Sequence, residues 1–210
     1  MPPTFPPLYA ILDVPRTSGP ASRIIETLVD AGVTLIQIRD KQASARAIYE
    51  AANRLVLQFA SRSVRIIVND RPDIAAMVGA GGVHVGQEDL PVAEARKLVG
   101  PDRWVGVSTH NIEQFRLAIP TSADYIAIGP IFPTATKANP DPIVGIDFLR
   151  QVRSLTRKPL VAIGGITIQS AESVFRAGAD SLAVVGDLLQ APDPAQRAGE
   201  YLAIAKRCCS

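Results

Sequence analysis

Asp70 and Asp89 are the residues of this sequence whose type and placement first suggest chemistry, because each closely follows a short apolar run typical of a buried strand. If those runs form neighbouring strands, the two carboxylates come close together. Such a pair suits Mg²⁺, which binds one or two carboxylates and completes its shell with water and phosphate oxygens. Zinc, which prefers Cys and His, is a poorer match. Helix capping is the alternative, because helix-like segments begin at Pro72 and Pro91.

Three long polar side chains, those of Gln37, Arg39 and Lys41, alternate with Ile38 and Asp40 at the end of another apolar run. In a strand, this period of two points all three side chains to the same side. Two cations directed toward one site indicate an anionic ligand such as a phosphate. The alternative is that Arg39 and Lys41 form structural salt bridges at the edge of the sheet.

A long loop follows the apolar run Tyr125–Ile128 and carries Thr134, Thr136 and Lys137 between prolines. Loops of this length without secondary structure are typically binding loops or lids, or else disordered. Hydroxyl donors beside a fixed cation are groups that bind anions. We therefore expect a lid over a phosphate site, with a solvated surface loop as the alternative.

Glycines at the ends of two later apolar runs predict a second anion site. Gly164-Gly165 and Gly186 expose backbone N–H groups where barrels of parallel strands commonly hold a phosphate. A tight turn at the glycine pair is the alternative.

The two histidines have different predicted roles. His84 lies within an apolar run and is expected to be a hydrogen-bonded packing residue, whereas His110 is either an acid/base group or a loop donor. No lysine occurs within the apolar run of any predicted strand, which argues against Schiff-base chemistry.

The elements that must position these residues alternate regularly between strand and helix. Eight such units predict a closed (β/α)8 TIM barrel, which places the carboxyl ends of all strands, and the residues above, on one face. An open doubly wound sheet would need fewer units and usually a glycine fingerprint after the first strand, where Asp13-Val14-Pro15 stands. Ser44 and Asn111 are predicted helix N-caps. The predicted strands are 8–12, 35–38, 65–68, 82–85, 104–107, 125–128, 160–163 and 181–184, and the predicted helices are 20–31, 44–61, 72–78, 91–99, 112–118, 145–155, 167–177 and 192–206.

Composition limits the class of protein. The 210 residues, 47% of them hydrophobic, predict one domain over 1–210 with a proline-rich lead-in at 1–7. A net charge of +2, with the charges dispersed, predicts neither a nucleic-acid nor a membrane partner. The two cysteines, Cys208 and Cys209, form no disulfide framework, and no signal peptide is indicated, so a reducing cytoplasmic setting is expected. Whether the chain forms a homo-oligomer stays open.

At this point the sequence resembles the thiamine-phosphate synthase family, with matching motifs in order along nearly the whole chain. A lone Gly-Gly-Ile would be weak, but the set together is specific. The motifs are Leu8-Tyr9-Ala10-Ile11-Leu12-Asp13, Gln37-Ile38-Arg39-Asp40-Lys41, Val68-Asn69-Asp70, Gly82-Val83-His84-Val85-Gly86-Gln87-Glu88-Asp89-Leu90-Pro91, Gly106-Val107-Ser108-Thr109-His110, Gly129-Pro130-Ile131-Phe132-Pro133-Thr134-Ala135-Thr136-Lys137 and Ala162-Ile163-Gly164-Gly165-Ile166.

The resemblance implies a transferase that joins 4-amino-2-methyl-5-(diphosphooxymethyl)pyrimidine to a thiazole phosphate, releasing thiamine monophosphate and pyrophosphate by a dissociative displacement. It implies Mg²⁺ on Asp70 and Asp89, and catalytic assistance from Arg39, Lys41, Lys137 and Ser108. The implied contacts to the pyrimidine diphosphate are Gln37, Ile38, Arg39, Asp40, Lys41, Asn69, Ser108 and Lys137, and those to the thiazole phosphate are Thr134, Ala135, Thr136, Gly165, Val185 and Gly186. The family often has serine where Gly186 stands.

Two other functions remain as alternatives. A thiazole tautomerase would bind the thiazole phosphate and transfer a proton through a residue such as His110, without the complete metal and diphosphate set. A non-catalytic barrel that binds a phosphorylated ligand is the second, because a fold does not fix a function.

Overall fold

The strands close into a single parallel barrel in sequence order, in a computed structural model that describes residues 5–17, 19–134 and 141–208. β1 pairs with β8 and so closes the ring. The predicted (β/α)8 barrel is thereby confirmed, and the open sheet is wrong. The strands are β1 Leu8–Asp13, β2 Leu35–Arg39, β3 Arg65–Asn69, β4 Gly82–Val85, β5 Trp104–Thr109, β6 Tyr125–Ile128, β7 Leu160–Ile163 and β8 Ser181–Val184.

Helices follow the strands and cover the barrel from outside. Ser44 and Asn111 are N-caps as predicted, because each side chain accepts a backbone N–H three residues ahead, at 3.2 and 2.9 Å. The helices are α1 Ala21–Asp30, α2 Ala45–Gln58, α3 Pro72–Met77, α4 Val92–Val99, α5 Ile112–Ala118, α6 Gly145–Arg153, α7 Ile168–Arg176, α8 Gly186–Leu189 and α9 Pro194–Cys208. The sequence did not predict α8 or the short 3-10 helix Val14–Arg16.

Strand boundaries differ from prediction where polar residues extend a strand. β5 continues to Thr109 although its apolar run stops at Val107, and the buried Thr109 hydroxyl donates to the Ala127 carbonyl at 3.0 Å. β2 likewise includes Arg39. Arg39 and Ser108 are therefore held by strand hydrogen bonding and do not belong to loops.

The barrel interior is aromatic and sealed at the amino-terminal end. The Tyr9 and Tyr125 rings lie inside at 5.9 Å, and Phe5 from the predicted lead-in stacks on Trp104 at 5.0 Å. Gly106 makes room for Tyr125, because a Cβ there would lie 2.1 Å from the tyrosine ring. A second cluster of aliphatic residues fills the space between the strands and the helices. Most side chains on both faces of the strands are apolar, apart from interior polar residues such as Gln37 and His84, which explains the nearly continuous apolar runs of the sequence.

Ion pairs at the amino-terminal ends of the strands hold two of them in place. Asp124 accepts the Val105 N–H at 2.6 Å and also pairs with Arg96. Asp180 accepts the Leu160 N–H, the first of β7, at 2.7 Å. It also pairs with Arg153 Nη1 at 2.6 Å. This face therefore serves stability, which leaves the carboxyl ends for a site. None of the helices in the described ranges has the length and apolar character needed to cross a bilayer.

Candidate active site

Asp70 and Asp89 follow the carboxyl ends of β3 and β4, close enough for the charge of Asp89 to act on Asp70. Burial raises the pKa of Asp70, Asp89 raises it further, and Lys41 Nζ, 3.2 Å from Asp70 Oδ2, opposes the shift. Asp70 also has a left-handed backbone with φ of 60°. Such conformations cost energy in residues other than glycine and often mark functional sites.

Neither aspartate is a helix cap. Asp89 Oδ2 accepts the Gly86 N–H at 2.7 Å, so this side chain turns back toward its own strand. The N-cap positions of α3 and α4 are Arg71 and Pro91, and neither makes a side-chain capping bond. The capping alternative is therefore wrong for both residues.

The carboxylate pair fits a magnesium ion. Its donors are all oxygens, and the pKa of Asp70 is raised first by burial and then by the nearby Asp89, two effects that a bound cation would offset. The described residues contain no group of three or more His, Cys, Asp or Glu side chains suited to a metal. Mg²⁺ usually binds one or two carboxylates, and water and phosphate oxygens fill its remaining coordination positions. A site with two carboxylates therefore suits this ion.

Lys41 lies beside Asp70, and both predicted cations form salt bridges. Arg39 Nη1 contacts Asp13 Oδ1 at 2.6 Å on the neighbouring strand, and Asp13, only 4% exposed, pairs with Arg16 Nε at 3.1 Å as well. Lys41, in contrast, is half-exposed beside Asp70. The salt-bridge alternative thus describes their contacts, but both cations remain accessible at the rim, where an anion would meet them.

Asp13 was not identified from the sequence, although it is the one acidic residue at the end of β1. The sequence feature that could have identified Asp13 is its position at the end of an apolar strand run. Its register partner across the sheet is Arg39, so pairing the first two strands in parallel would have placed the two together.

A chain of hydrogen bonds crosses the barrel interior beneath the rim. Gln37 Nε2 donates to the Tyr9 hydroxyl at 2.7 Å, and the Tyr9 and Tyr125 hydroxyls are 2.9 Å apart. His84 contacts the Tyr125 hydroxyl through Nδ1 at 3.1 Å and the Ser108 hydroxyl through Nε2 at 2.8 Å. The chain joins Gln37 to Ser108, two residues predicted to contact one substrate. No residue pattern distinguishes the two tyrosines beforehand, because aromatic residues in strands are usually core.

His84 is the hydrogen-bonded packing residue that the sequence predicted. Burial lowers its pKa to about 4, so the ring is neutral near pH 7. A neutral ring carries one proton, and since both nitrogens face hydroxyls, one donates and the other accepts. The interior chain is therefore satisfied without any buried charge.

The predicted lid is described at both of its ends. Ile131 N–H donates to the Ile163 carbonyl at 2.9 Å and Phe132 N–H to the Gly164 carbonyl at 3.0 Å, so its first residues add to the end of β7. Val144 N–H returns to the Pro130 carbonyl at 2.9 Å. Thr134 is half-buried, while the predicted site residues Ala135, Thr136 and Lys137 lie outside the described residues.

Gly164 and Gly165 form the turn on which this loop rests. Their φ values are +95° and +64°, in the left-handed region. A Cβ on Gly165 would lie 2.3 Å from the Pro133 carbonyl oxygen, and one on Gly164 would lie 2.6 Å from Pro130 Cα. The turn interpretation is confirmed, and a phosphate site at the same backbone stays a prediction.

His110 contacts the loop from β5. Its Nδ1 is 2.6 Å from the Gly129 carbonyl, its backbone N–H donates to Gln114 Oε1 at 2.7 Å, and its Nε2 is 3.5 Å from Asp141 Oδ2. Because a carbonyl can only accept, Nδ1 is the protonated donor. These contacts match the loop-donor alternative.

The remaining predicted residues occupy different positions around the site. Asn69 ends β3 beside Asp70, and Val185 and Gly186 lie at the start of α8. Ile38 packs into the helix-facing core and Asp40 accepts two backbone N–H groups of its own turn at 3.0 Å, so their side chains are occupied locally.

Comparisons with known proteins agree with this geometry. A family model described as Thiamine monophosphate synthase matches residues 8–188. The thiamine-phosphate synthase of Koribacter versatilis is 52% identical over 205 residues, covering 95% of this chain and 96% of that protein. That of Chloroflexus aurantiacus is 42% identical over 198 residues, covering 94% and 91%.

A solved structure is similar over the same length. Thiamine phosphate pyrophosphorylase from Pyrococcus furiosus has a TM-score of 0.87 and 30% identity, with 97% of each chain covered. The family match runs through every strand that carries a predicted site residue and ends within α8. The chain therefore belongs to the thiamine monophosphate synthase family.

Proposed function

We propose that this protein condenses 4-amino-2-methyl-5-(diphosphooxymethyl)pyrimidine with 4-methyl-5-(2-phosphooxyethyl)thiazole, giving thiamine monophosphate and pyrophosphate. The observation that carries the proposal is the carboxylate pair Asp70 and Asp89 with Lys41 beside Asp70, at the same end of the barrel as Arg39. Paired acids with adjacent cations suit a substrate that carries a diphosphate and a metal. Family membership supplies the identity of the two phosphorylated substrates.

Asp70 and Asp89 would hold Mg²⁺, whose chemistry here is to neutralise negative charge on the diphosphate as it leaves. Lys41, Arg39 and Lys137 would add fixed positive charge to the same leaving group. The bond between the pyrimidine methylene carbon and the diphosphate oxygen breaks, and its electron pair departs with pyrophosphate. The thiazole nitrogen lone pair then forms the new carbon–nitrogen bond. Such a dissociative route needs preorganised charge more than a strong base.

The interior chain from Gln37 to Ser108 supports this route by forming the floor of the site. Its members are uncharged and hydrogen-bonded to one another, so they would present fixed polar groups to the pyrimidine. The loop above, with Thr134, Thr136 and Lys137, would exclude water from the cationic intermediate. Thr134, Gly165, Val185 and Gly186, with Ala135 and Thr136, would surround the thiazole phosphate.

Turnover tests the reaction directly. Purified protein with Mg²⁺ and both substrates is expected to form thiamine monophosphate and an equal amount of pyrophosphate, measured by chromatography and a pyrophosphate assay. Absence of product under these conditions would contradict the proposal. Conversion of the thiazole phosphate alone to an isomer would instead indicate the tautomerase, and binding without any conversion would indicate the non-catalytic barrel. The expected cytoplasmic setting stays a prediction.

Gly186→Ser is expected to lower KM for the thiazole phosphate about three- to tenfold, the effect of one additional hydrogen bond. A Cβ at this position would meet no atom closer than Gln190 Oε1 at 4.0 Å, so a serine fits and its hydroxyl can donate to the phosphate. Steady-state kinetics at saturating pyrimidine diphosphate measure the change. Gly199→Ser on α9, where a Cβ also meets open space, is the matched control and should leave KM unchanged. An unchanged KM in Gly186→Ser would place the phosphate elsewhere.

A further inference from the structure

Asp187 is a half-buried acid next to the predicted thiazole phosphate site that the reaction does not use. It is the second residue of α8, directly after Gly186. Its Oδ2 accepts two hydrogen bonds from α9, one from Arg197 Nη1 at 2.7 Å and one from the Tyr201 hydroxyl at 2.7 Å. Arg197 is in turn held by Glu200, with Nε 3.0 Å from Oε2.

Both hydrogen bonds meet at Asp187 Oδ2, and we call the three side chains the Asp187 clamp (Asp187, Arg197 and Tyr201). Tyr201 is only 1% exposed, and burial together with Asp187 raises its pKa, so the phenol keeps its proton and donates. The Asp187 side chain is 15% exposed and that of Arg197 is 25% exposed. A charge-assisted contact that is largely withdrawn from water is stronger and more rigid than an exposed pair.

The clamp joins a short element to a long one. α8 has four residues, too few to be stable alone, whereas α9 has fifteen and packs against α1 and α7. Arg197 and Tyr201 of α9 both donate to Asp187, and these hydrogen bonds hold α8 against α9. Because Gly186 begins α8, its backbone N–H has no acceptor within the helix and its direction follows that of α8.

We propose that the Asp187 clamp is a positioning device for thiazole phosphate binding, holding the backbone of Val185 and Gly186 in the orientation that meets the phosphate. This rests on the proposed function. With glycine at 186, the contact there depends on a backbone N–H, which cannot turn toward the ligand as a hydroxyl can. The clamp also neutralises Asp187, whose carboxylate would otherwise repel a phosphate close by.

Three variants test the clamp: Asp187→Asn, Arg197→Gln and Tyr201→Phe. Each is expected to raise KM for the thiazole phosphate, by about tenfold for Asp187→Asn and Arg197→Gln, the loss of one hydrogen bond to a charged group. KM for the pyrimidine diphosphate and kcat at saturation should change less than about twofold. The reason is that the variants weaken thiazole phosphate binding equally in the ground state and in the transition state. The double variant Asp187→Asn/Arg197→Gln should be no worse than either single one, since both break the same contact.

Glu172→Gln and Arg176→Gln are the matched controls, since they break an exposed ion pair of 2.7 Å on α7 and should leave both KM values unchanged. Thermal unfolding checks that each variant folds, and if Asp187→Asn does not, Tyr201→Phe still tests the idea by removing one hydroxyl only.

Several results would overturn the proposal. Unchanged thiazole phosphate KM in the folded variants, or an equal rise for both substrates, contradicts positioning. A lower KM in Asp187→Asn with a higher one in Arg197→Gln would mean that Arg197 contacts the phosphate directly. Wild-type turnover in the same assay distinguishes failure of the proposed reaction from failure of the proposed role of the Asp187 clamp. If the wild type forms no product, the reaction is wrong, and if it does while the variants match it, only the clamp is wrong.

Discussion

Replacing Asp89 with asparagine is expected to lower kcat/KM about a hundred- to a thousandfold, the loss seen when one preorganised charge-stabilising group is removed from an active site. Asparagine keeps an oxygen that can accept the Gly86 N–H, so the turn after β4 and the fold should persist. The negative charge is lost, and with it half of the pair that would hold Mg²⁺. Initial rates measured against Mg²⁺ concentration should show a weaker apparent affinity as well as a lower maximum.

Asp102→Asn provides the matched control for this experiment. Asp102 is exposed between α4 and β5, at the opposite end of the barrel from Asp89, and the same change of charge there should leave kcat/KM unaltered. Circular dichroism should be the same for both variants. Full wild-type activity in excess chelator would show that the metal assignment is wrong.

Asp70→Asn is expected to change activity and stability in opposite directions. Activity should fall by about two to three orders of magnitude, for the same reason as in Asp89→Asn. In the absence of Mg²⁺, Tm should rise by about 2 to 4 °C, the shift that 1 kcal/mol produces in a domain of this size. Burial and Asp89 both disfavour the charged form of Asp70, whereas asparagine carries no charge and tolerates the left-handed backbone at this position. Active sites commonly trade stability for function in this way.

The stability gain of Asp70→Asn should depend on pH. Between the ordinary carboxyl pKa of about 3.9 and the raised pKa of Asp70, the folded wild type binds more protons than the unfolded chain. Its free energy of unfolding therefore falls as pH rises through this window, a loss that the variant escapes. Thermal unfolding without Mg²⁺ at several pH values from 4 to 8 measures this difference. A variant less stable than wild type at pH 7 would mean that the half-exposed Lys41 pair outweighs the repulsion from Asp89.

Much of the fold could be predicted from the sequence because strands and helix starts depend on patterns within a few neighbouring residues. A strand buried on both faces of a barrel must be apolar along its length, so β1 to β8 are visible as short apolar runs. Helix starts are equally local, since Ser44 and Asn111 bond to N–H groups only three residues away. The predicted end of β5 was wrong because the polar residues Ser108 and Thr109 interrupt the apolar run but stay in the strand.

The sequence by itself also determined which end of the barrel carries the candidate site, because the order of strand and polar residue places Arg39 at the end of its strand and Asp70 and Asp89 after theirs. Lys137, outside the described residues, stays a prediction of the same kind. Only the tertiary structure decided the partners of these groups. Asp13 meets Arg39 across 26 residues and Tyr9 meets Tyr125 across 116. The Asp187 clamp likewise needs α8 folded back on α9. Such contacts depend on closure of the barrel and on side-chain direction, which no local pattern of residue types contains.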